Sequence, residues 1–217
     1  MLDLVIGDAK KSLRILCIGA HCDDIEIGCG GALLELQRQR SKLLIDWIVL
    51  SGSAGRRDEA LRGMRAIVRR SCRGQLRFGD FPDGRFPASY AELKDYFSVL
   101  GKSICPDLVL AHEHADRHQD HRVTNEMVWT TFRDHTILEY EIPKWDGGLG
   151  QPNVYVPVSR ASARRKVDTL LRTYRSQADK DWFTGETFMS LLRLRGLECR
   201  SPSGLAEAFN GRKLRLR

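Results

Sequence analysis

Five of the six histidines fall in two short stretches that also carry closely spaced acids. The first is IGAHCDDIEIGCGG, residues 18–31, where an apolar run stops at His21 and is followed by Asp23 and Asp24. The second is AHEHADRHQDHR, residues 111–122, in which His112, His114, His118 and His121 are interspersed with Asp116 and Asp120. Two neutral imidazoles and one carboxylate make a catalytic zinc set that leaves a coordination position open for water. One histidine from each stretch and one aspartate would satisfy it. A remaining carboxylate would be free to take a proton from water, and a remaining histidine could stabilise an oxyanion. Any one of these histidines alone reads as a surface loop residue; the two clusters together read as metal hydrolase chemistry.

The elements around the two stretches explain how they could meet. RILCIGA (Arg14 to Ala20), LLIDWIVLS (Leu43 to Ser51), the short QLRFGD, PDLVLAH (Pro106 to His112) and TILEYEI read as strands, each apolar enough to be covered on both faces. Amphipathic helical patterns follow the first four: GALLELQRQR, RRDEALRGMRAIVRRS, SYAELKDYFSVLGKS and QDHRVTNEMVWTTFR. This alternation predicts an α/β three-layer domain with a mostly parallel sheet. In such sheets ligands bind beyond the carboxyl ends of the strands, near the point where strand order reverses. Both polar stretches begin at strand ends. The first helix is expected to start at the glycines of residues 28–31. These glycines follow the acids rather than the strand, and acids at that turn would repel a pyrophosphate, which argues against dinucleotide binding.

Beyond Asn153 the rhythm changes. NVYVPVS reads as one more strand, SRASARRKVDTLLRTYRS as a basic helix, QADKDWFTG as a loop and ETFMSLLRLRGLE as another helix. With no repeat, low-complexity tract or linker, the 217 residues read as a single domain, with a core at about 13–150 and a C-terminal extension at about 151–217. The net charge of +7 is uneven: residues 160–217 hold 14 Lys/Arg against 6 Asp/Glu. That excess fits an anionic carrier group weakly, but no aromatic residues interleave the final GRKLRLR, so nucleic acid is not an expected partner. No signal-peptide layout and no apolar run near twenty residues is present, so a cytoplasmic protein is expected. A homo-oligomer is compatible with the sequence. Six scattered cysteines without a CxxC pair suggest neither a thiolate zinc module nor a disulfide framework; Cys17 and Cys105 read as core residues.

AHCDDIE (Ala20 to Glu26) resembles the AHPDDE signature of the PIG-L/LmbE-like de-N-acetylases, and HADRHQDH (His114 to His121) resembles their downstream HPDH motif. The resemblance implies a Rossmann-like fold and removal of acetate from an N-acetylated amino sugar, an N-acetylglucosaminyl unit carried on a larger group. It implies Zn2+, with Fe2+ or another divalent ion as the alternative, held by His21, Asp24 and His121. Asp23 becomes the general base, and His118 stabilises the oxyanion. Asp120 would orient one imidazole, and Asp116 would partner His118. Cys22 departs from the family's usual proline, with no expected change in chemistry.

Further candidates lie on the same sheet edge. Arg56 and Arg57 follow the second strand, Asp83 and Arg85 the third, and Trp145 the fifth, each a candidate substrate contact. Two other functions remain open at this level: an amidase acting on a non-sugar amide, and a non-enzymatic binding protein with a structural metal and a basic tail.

Overall fold

A computed structural model describes residues 5–7 and 11–215. Its seven-stranded sheet has the order β3-β2-β1-β4-β5-β7-β6. Strands β1 (Leu13–Gly19), β2 (Leu43–Val49), β3 (Arg73–Phe78), β4 (Leu108–His112) and β5 (Thr136–Tyr140) run parallel, as expected for apolar strands connected by helical crossovers. Helices α1 (Asp24–Gln39) and α2 (Ala54–Ile67) cover one face together with α5 (Arg160–Thr173); α3 (Tyr90–Ser103) and α4 (Gln119–Thr131) cover the other. Trp47, Tyr140 and Tyr174 anchor the first core, and Phe86, Phe97 and Phe132 the second.

The expected α/β class is the one found, and β1 is its switch point. It pairs with β2 on one side and β4 on the other, so the residues just past Gly19 and His112 emerge side by side. The two polar stretches are neighbours for this reason.

Three expectations need correction. Helix α1 starts at Asp24 rather than at the glycines, so Asp23 occupies its N-cap position and Asp24 and Glu26 lie in its first turn. The positive end of the helix dipole favours the charge of an acid placed there. Burial nevertheless pushes Asp23 and Glu26 up, and only Asp24, despite its burial, is held below its ordinary value by the neighbouring histidines. The glycines serve packing instead: a Cβ on Gly28 would sit 2.1 Å from the Tyr140 ring, so the helix could not lie this close to β5 with any other residue.

The second concerns the C-terminal quarter, which continues the same sheet. Strand β6 (Val154–Pro157) is the one expected, but a further strand, β7 (Ala206–Asn210), inserts between β5 and β6 and pairs antiparallel with both. Its Glu207 is buried and accepts from the amides of Gly31 and Ala32, at 2.8 and 2.6 Å, and from Lys166. Helix α6 (Gly185–Glu198) packs on β7. Part of the basic excess is paired with buried acids. Arg195 forks onto buried Glu141 at 2.9 and 2.6 Å, and Arg212 reaches buried Glu139 at 2.8 Å while lying over the Trp129 ring. Leu216 and Arg217 of the basic terminus lie outside the described residues. Thirdly, Cys17 is buried as expected but Cys105 is exposed. Among the described residues no helix is long and apolar enough to cross a membrane.

Candidate active site

His21 lies just past β1 and Asp24 opens α1, while His121 sits in the first turn of α4. All three are buried. His21 Nδ1 is 3.2 Å from His121 Nε2 and 3.4 Å from Asp24 Oδ2, and His121 Nε2 is 3.6 Å from the same oxygen. Nitrogen and oxygen ligands about 2.0–2.1 Å from zinc at the tetrahedral angle lie about 3.3–3.4 Å apart. The three donor atoms therefore match the spacing of a divalent cation's ligands, and these residues form a group able to hold one.

The nitrogens not aimed at the cluster are held by carboxylates. His121 Nδ1 is 2.9 Å from Asp116 Oδ2, which places the proton on Nδ1 and leaves the Nε2 lone pair facing Asp24 and His21. His21 Nε2 is 3.2 Å from Asp120 Oδ2 and 3.1 Å from Asp83 Oδ1. Asp120 is fixed in turn by the amides of Gly84 and Phe86, at 2.7 and 3.0 Å. Asp120 thus bridges the His21 ring and the loop after β3. Asp116 differs from expectation: the ring it holds is that of His121, and it meets His118 only through that residue's backbone amide, at 2.8 Å. Lys144 adds two bonds to Asp116, at 2.8 and 2.7 Å.

Burial and charge drive the two imidazoles apart. Burial opposes a charge on His21, but bonds to Asp120, Asp24 and Asp83 raise it well above its ordinary value. Burial and the adjacent His112 push His121 down to about 3, so it stays neutral. His112, at the end of β4, stacks on His121 with centroids 3.8 Å apart, and its Nε2 is 3.0 Å from the Ala20 amide and 3.1 Å from Asp24 Oδ2. The sequence placed His112 in the cluster without a role; its contact with the first motif depends on β4 lying beside β1.

Asp23 is buried beside this cluster, and its carboxylate is bound by Arg56 Nη2 at 2.9 Å. Burial raises its pKa, while Arg56 holds that rise in check. His118 is the N-cap of α4, and its Nδ1 accepts from the Asp120 amide at 3.2 Å. That bond puts the ring proton on Nε2. Both residues line a cavity of about 300 Å³ whose floor includes His21, Asp24 and His121.

Of the other sequence candidates, the structure brings Arg56, Asp83 and Trp145 to this cavity but not Arg57 or Arg85. Arg57 binds the Gly52 and Gly79 carbonyls and Asp80, bracing the loops after β2 and β3, and Arg85 is solvent-exposed. His114 meets Glu139 at 3.3 Å, away from the cavity. The Cys22 sulfur turns to the Ser51 carbonyl at 3.5 Å and is not among the converging donor atoms; burial pushes its thiol up to about 12. The far wall of the cavity, from Gln177, Lys180 and Trp182, lies in the segment read only as a loop.

The family model described as PIG-L, GlcNAc-PI de-N-acetylase, matches residues 16–132, which contain every member of the buried histidine–aspartate cluster. YaiS of Escherichia coli (strain K12), described as an uncharacterized deacetylase, is 29% identical over 154 residues, covering 64% of this chain and 79% of its own. Among solved structures, an N,N'-diacetylchitobiose deacetylase from Pyrococcus horikoshii superimposes with a TM-score of 0.70 at 20% identity, covering 93% of this chain and 84% of that one. GalB of Pseudomonas putida KT2440, a 4-carboxy-2-hydroxymuconate hydratase, has the same TM-score at 15% identity, covering 94% and 98% of the two chains. The fold thus serves more than one kind of water chemistry. By the extent of the family match, this chain belongs to the PIG-L family of de-N-acetylases.

Proposed function

We propose that the protein is a metal-dependent de-N-acetylase that releases acetate from an N-acetylated amino sugar. The observation carrying this reading is the combination of three converging donors, from His21, Asp24 and His121, with a separate carboxylate on the same cavity. A closed structural metal site has no use for an unligated acid at its edge, and this cluster opens onto a cavity of about 300 Å³. That weighs against the binding-protein alternative, as does the engagement of Arg195 and Arg212 by buried glutamates.

A divalent ion such as zinc or ferrous iron on those donors would supply Lewis acidity and water of lowered pKa. The rest is the work of the chain. Asp23 takes a proton from the attacking water as its oxygen bonds to the acetamide carbon. Arg56 opposes the upward push of burial on this carboxylate and fixes one of its oxygens. The negative charge growing on the carbonyl oxygen is met by the Nε2 proton of His118, whose ring is fixed through Nδ1. The C–N bond then breaks, the nitrogen takes the proton held by Asp23, and the free amine leaves with acetic acid, which gives up its remaining proton to become acetate.

The test is Asp23→Asn, assayed for acetate release and for bound metal. Turnover falls about 100- to 10,000-fold while metal content is retained. A variant that still works at the parental rate places the base elsewhere. A related reaction, hydrolysis of a non-sugar amide, is separated by assaying an N-acyl amino acid beside the N-acetyl sugars: turnover of the amino acid with no acetate from any sugar would favour it.

A further inference from the structure

The reaction cavity has a floor and a wall of different origin. The floor comes from residues inside the family match; the wall comes from Trp145 and Asp146 after β5 and from Gln177, Lys180 and Trp182 between α5 and α6, all outside it. Trp145 is 66% exposed, yet it is not loose: its indole Nε1 donates to Asp181 at 2.5 Å, and its ring stands edge-on to Trp182, centroids 6.2 Å apart at 78°. Trp182 packs in turn on buried Phe183, and Lys180 lies 5.7 Å over its ring.

The backbone beneath is tied down. Ser176 is held by Glu59 of α2 through its amide and hydroxyl, at 3.0 and 2.5 Å, and Tyr174 donates to the Cys22 carbonyl at 2.7 Å. The wall is therefore anchored to the turn that carries Asp23 and Asp24. A fixed, exposed indole at the lip of a polar cavity offers an apolar face at little entropic cost.

The charges around the mouth do not add up to an anion site. Arg56 is paired with Asp23, and Lys144 with Asp116. Lys180 and Asp146 remain, of opposite sign, and the arginines of α5 are not part of the wall. A phosphate carrier needs convergent free cations; a ring needs a flat apolar face.

We propose that Trp145 and Trp182 form a subsite for an uncharged ring attached to the N-acetylated sugar, either a second pyranose or an aromatic group, with Asp181 as the positioning residue for Trp145. The substrate is then a neutral glycoconjugate rather than a phosphate-linked sugar. This rests on the de-N-acetylase reading and narrows it.

The experiment uses metal-loaded full-length protein and four probes: N-acetylglucosamine, its β-1,4-linked disaccharide, its 4-nitrophenyl glycoside, and N-acetylglucosamine 1-phosphate. Acetate release gives kcat and KM, and quenching of tryptophan fluorescence gives binding. The expected result is a preference for the disaccharide or the nitrophenyl glycoside over the free sugar, with little dependence on salt; which of the two is favoured identifies the ring. Trp145→Ala and Asp181→Ala, both at exposed positions, lower that preference about five- to tenfold, chiefly through KM. Preference for the 1-phosphate with a steep salt dependence overturns the proposal, as does an unchanged preference in Trp145→Ala. If ring-bearing probes bind in a Trp145-dependent way but none releases acetate, the subsite stands and the de-N-acetylase reading fails. If all probes release acetate equally well in parent and variant, the reverse holds.

Discussion

The Nε2 atom of His121 lies 3.2 Å from Nδ1 of His21, although the two residues are 100 positions apart in the chain. Two imidazole nitrogens this close share a proton or a cation. Asp116 already holds the Nδ1 proton of His121, so the Nε2 lone pair is free to accept whatever lies between the rings.

From this it follows that His21→Ala and His121→Ala lose both bound metal and activity, whereas His118→Ala loses turnover with the metal retained. For His118 the expected loss is about 100- to 1,000-fold in kcat, the range for removing one oxyanion donor. Elemental analysis of the purified variants beside an acetate assay separates the two classes. A His118→Ala protein stripped of metal would move that residue into the ligand set.

Asp116→Ala removes the acceptor that fixes the tautomer of His121. Metal affinity is expected to fall about 10- to 100-fold, as for other carboxylates that hold a ligating histidine. Titration with a competing chelator measures it. Unaltered affinity would mean that the link from Lys144 to Asp116 serves only the loop after β5.

Loading the metal-free protein releases a proton at neutral pH. Hydrogen bonds to three carboxylates raise His21 well above its ordinary value, so its ring is cationic before metal arrives, and Nδ1 must give up a proton to become a donor. His121, held at about 3, contributes none. Affinity therefore rises with pH across the range where His21 titrates. Calorimetry in two buffers of different ionisation enthalpy should show unequal heats; equal heats would contradict the assignment.

Gly28→Ala inverts the usual sign of a helix substitution. Alanine inside a helix is favoured over glycine by about 1 kcal/mol, but here the new methyl would meet the Tyr140 ring at 2.1 Å. Overpacking of this kind costs about 1–3 kcal/mol. Tyr140 donates to the Ile18 carbonyl at 2.6 Å, so the strain reaches β1. Chemical denaturation of the metal-free proteins reads the loss directly.

The central part of this site was legible because it combines rare residue types with strand ends. Apolar runs closing at Ala20 and His112 marked two strands, and the sheet rule placed their ends on one edge. What was hidden depends on side-chain direction or on partners remote in sequence. Asp116 was matched to the wrong ring because the spacing to His118 and to His121 differs by less than one helical turn. Arg57 and Arg85 share the correct sheet edge with Arg56 and Asp83, but one braces loops and the other faces solvent. Strand β7 escaped notice because AEAFN carries a carboxylate at its second position; only the amides of Gly31 and Ala32 and the Lys166 ammonium make Glu207 tolerable there. Trp182 was read within a polar loop, since nothing local to QADKDWFTG points to Trp145.

Strand β7 also has a bearing on synthesis. It is the link between β5 and β6, so during translation the far edge of the sheet cannot zip up until residues 206–210 have left the ribosome. Lys166 and the α1 amides wait for Glu207 over the same interval. The growing polypeptide can thus gather its histidines early, but β7, made after the other six strands of the sheet, locks the helices that carry the mouth of the cavity.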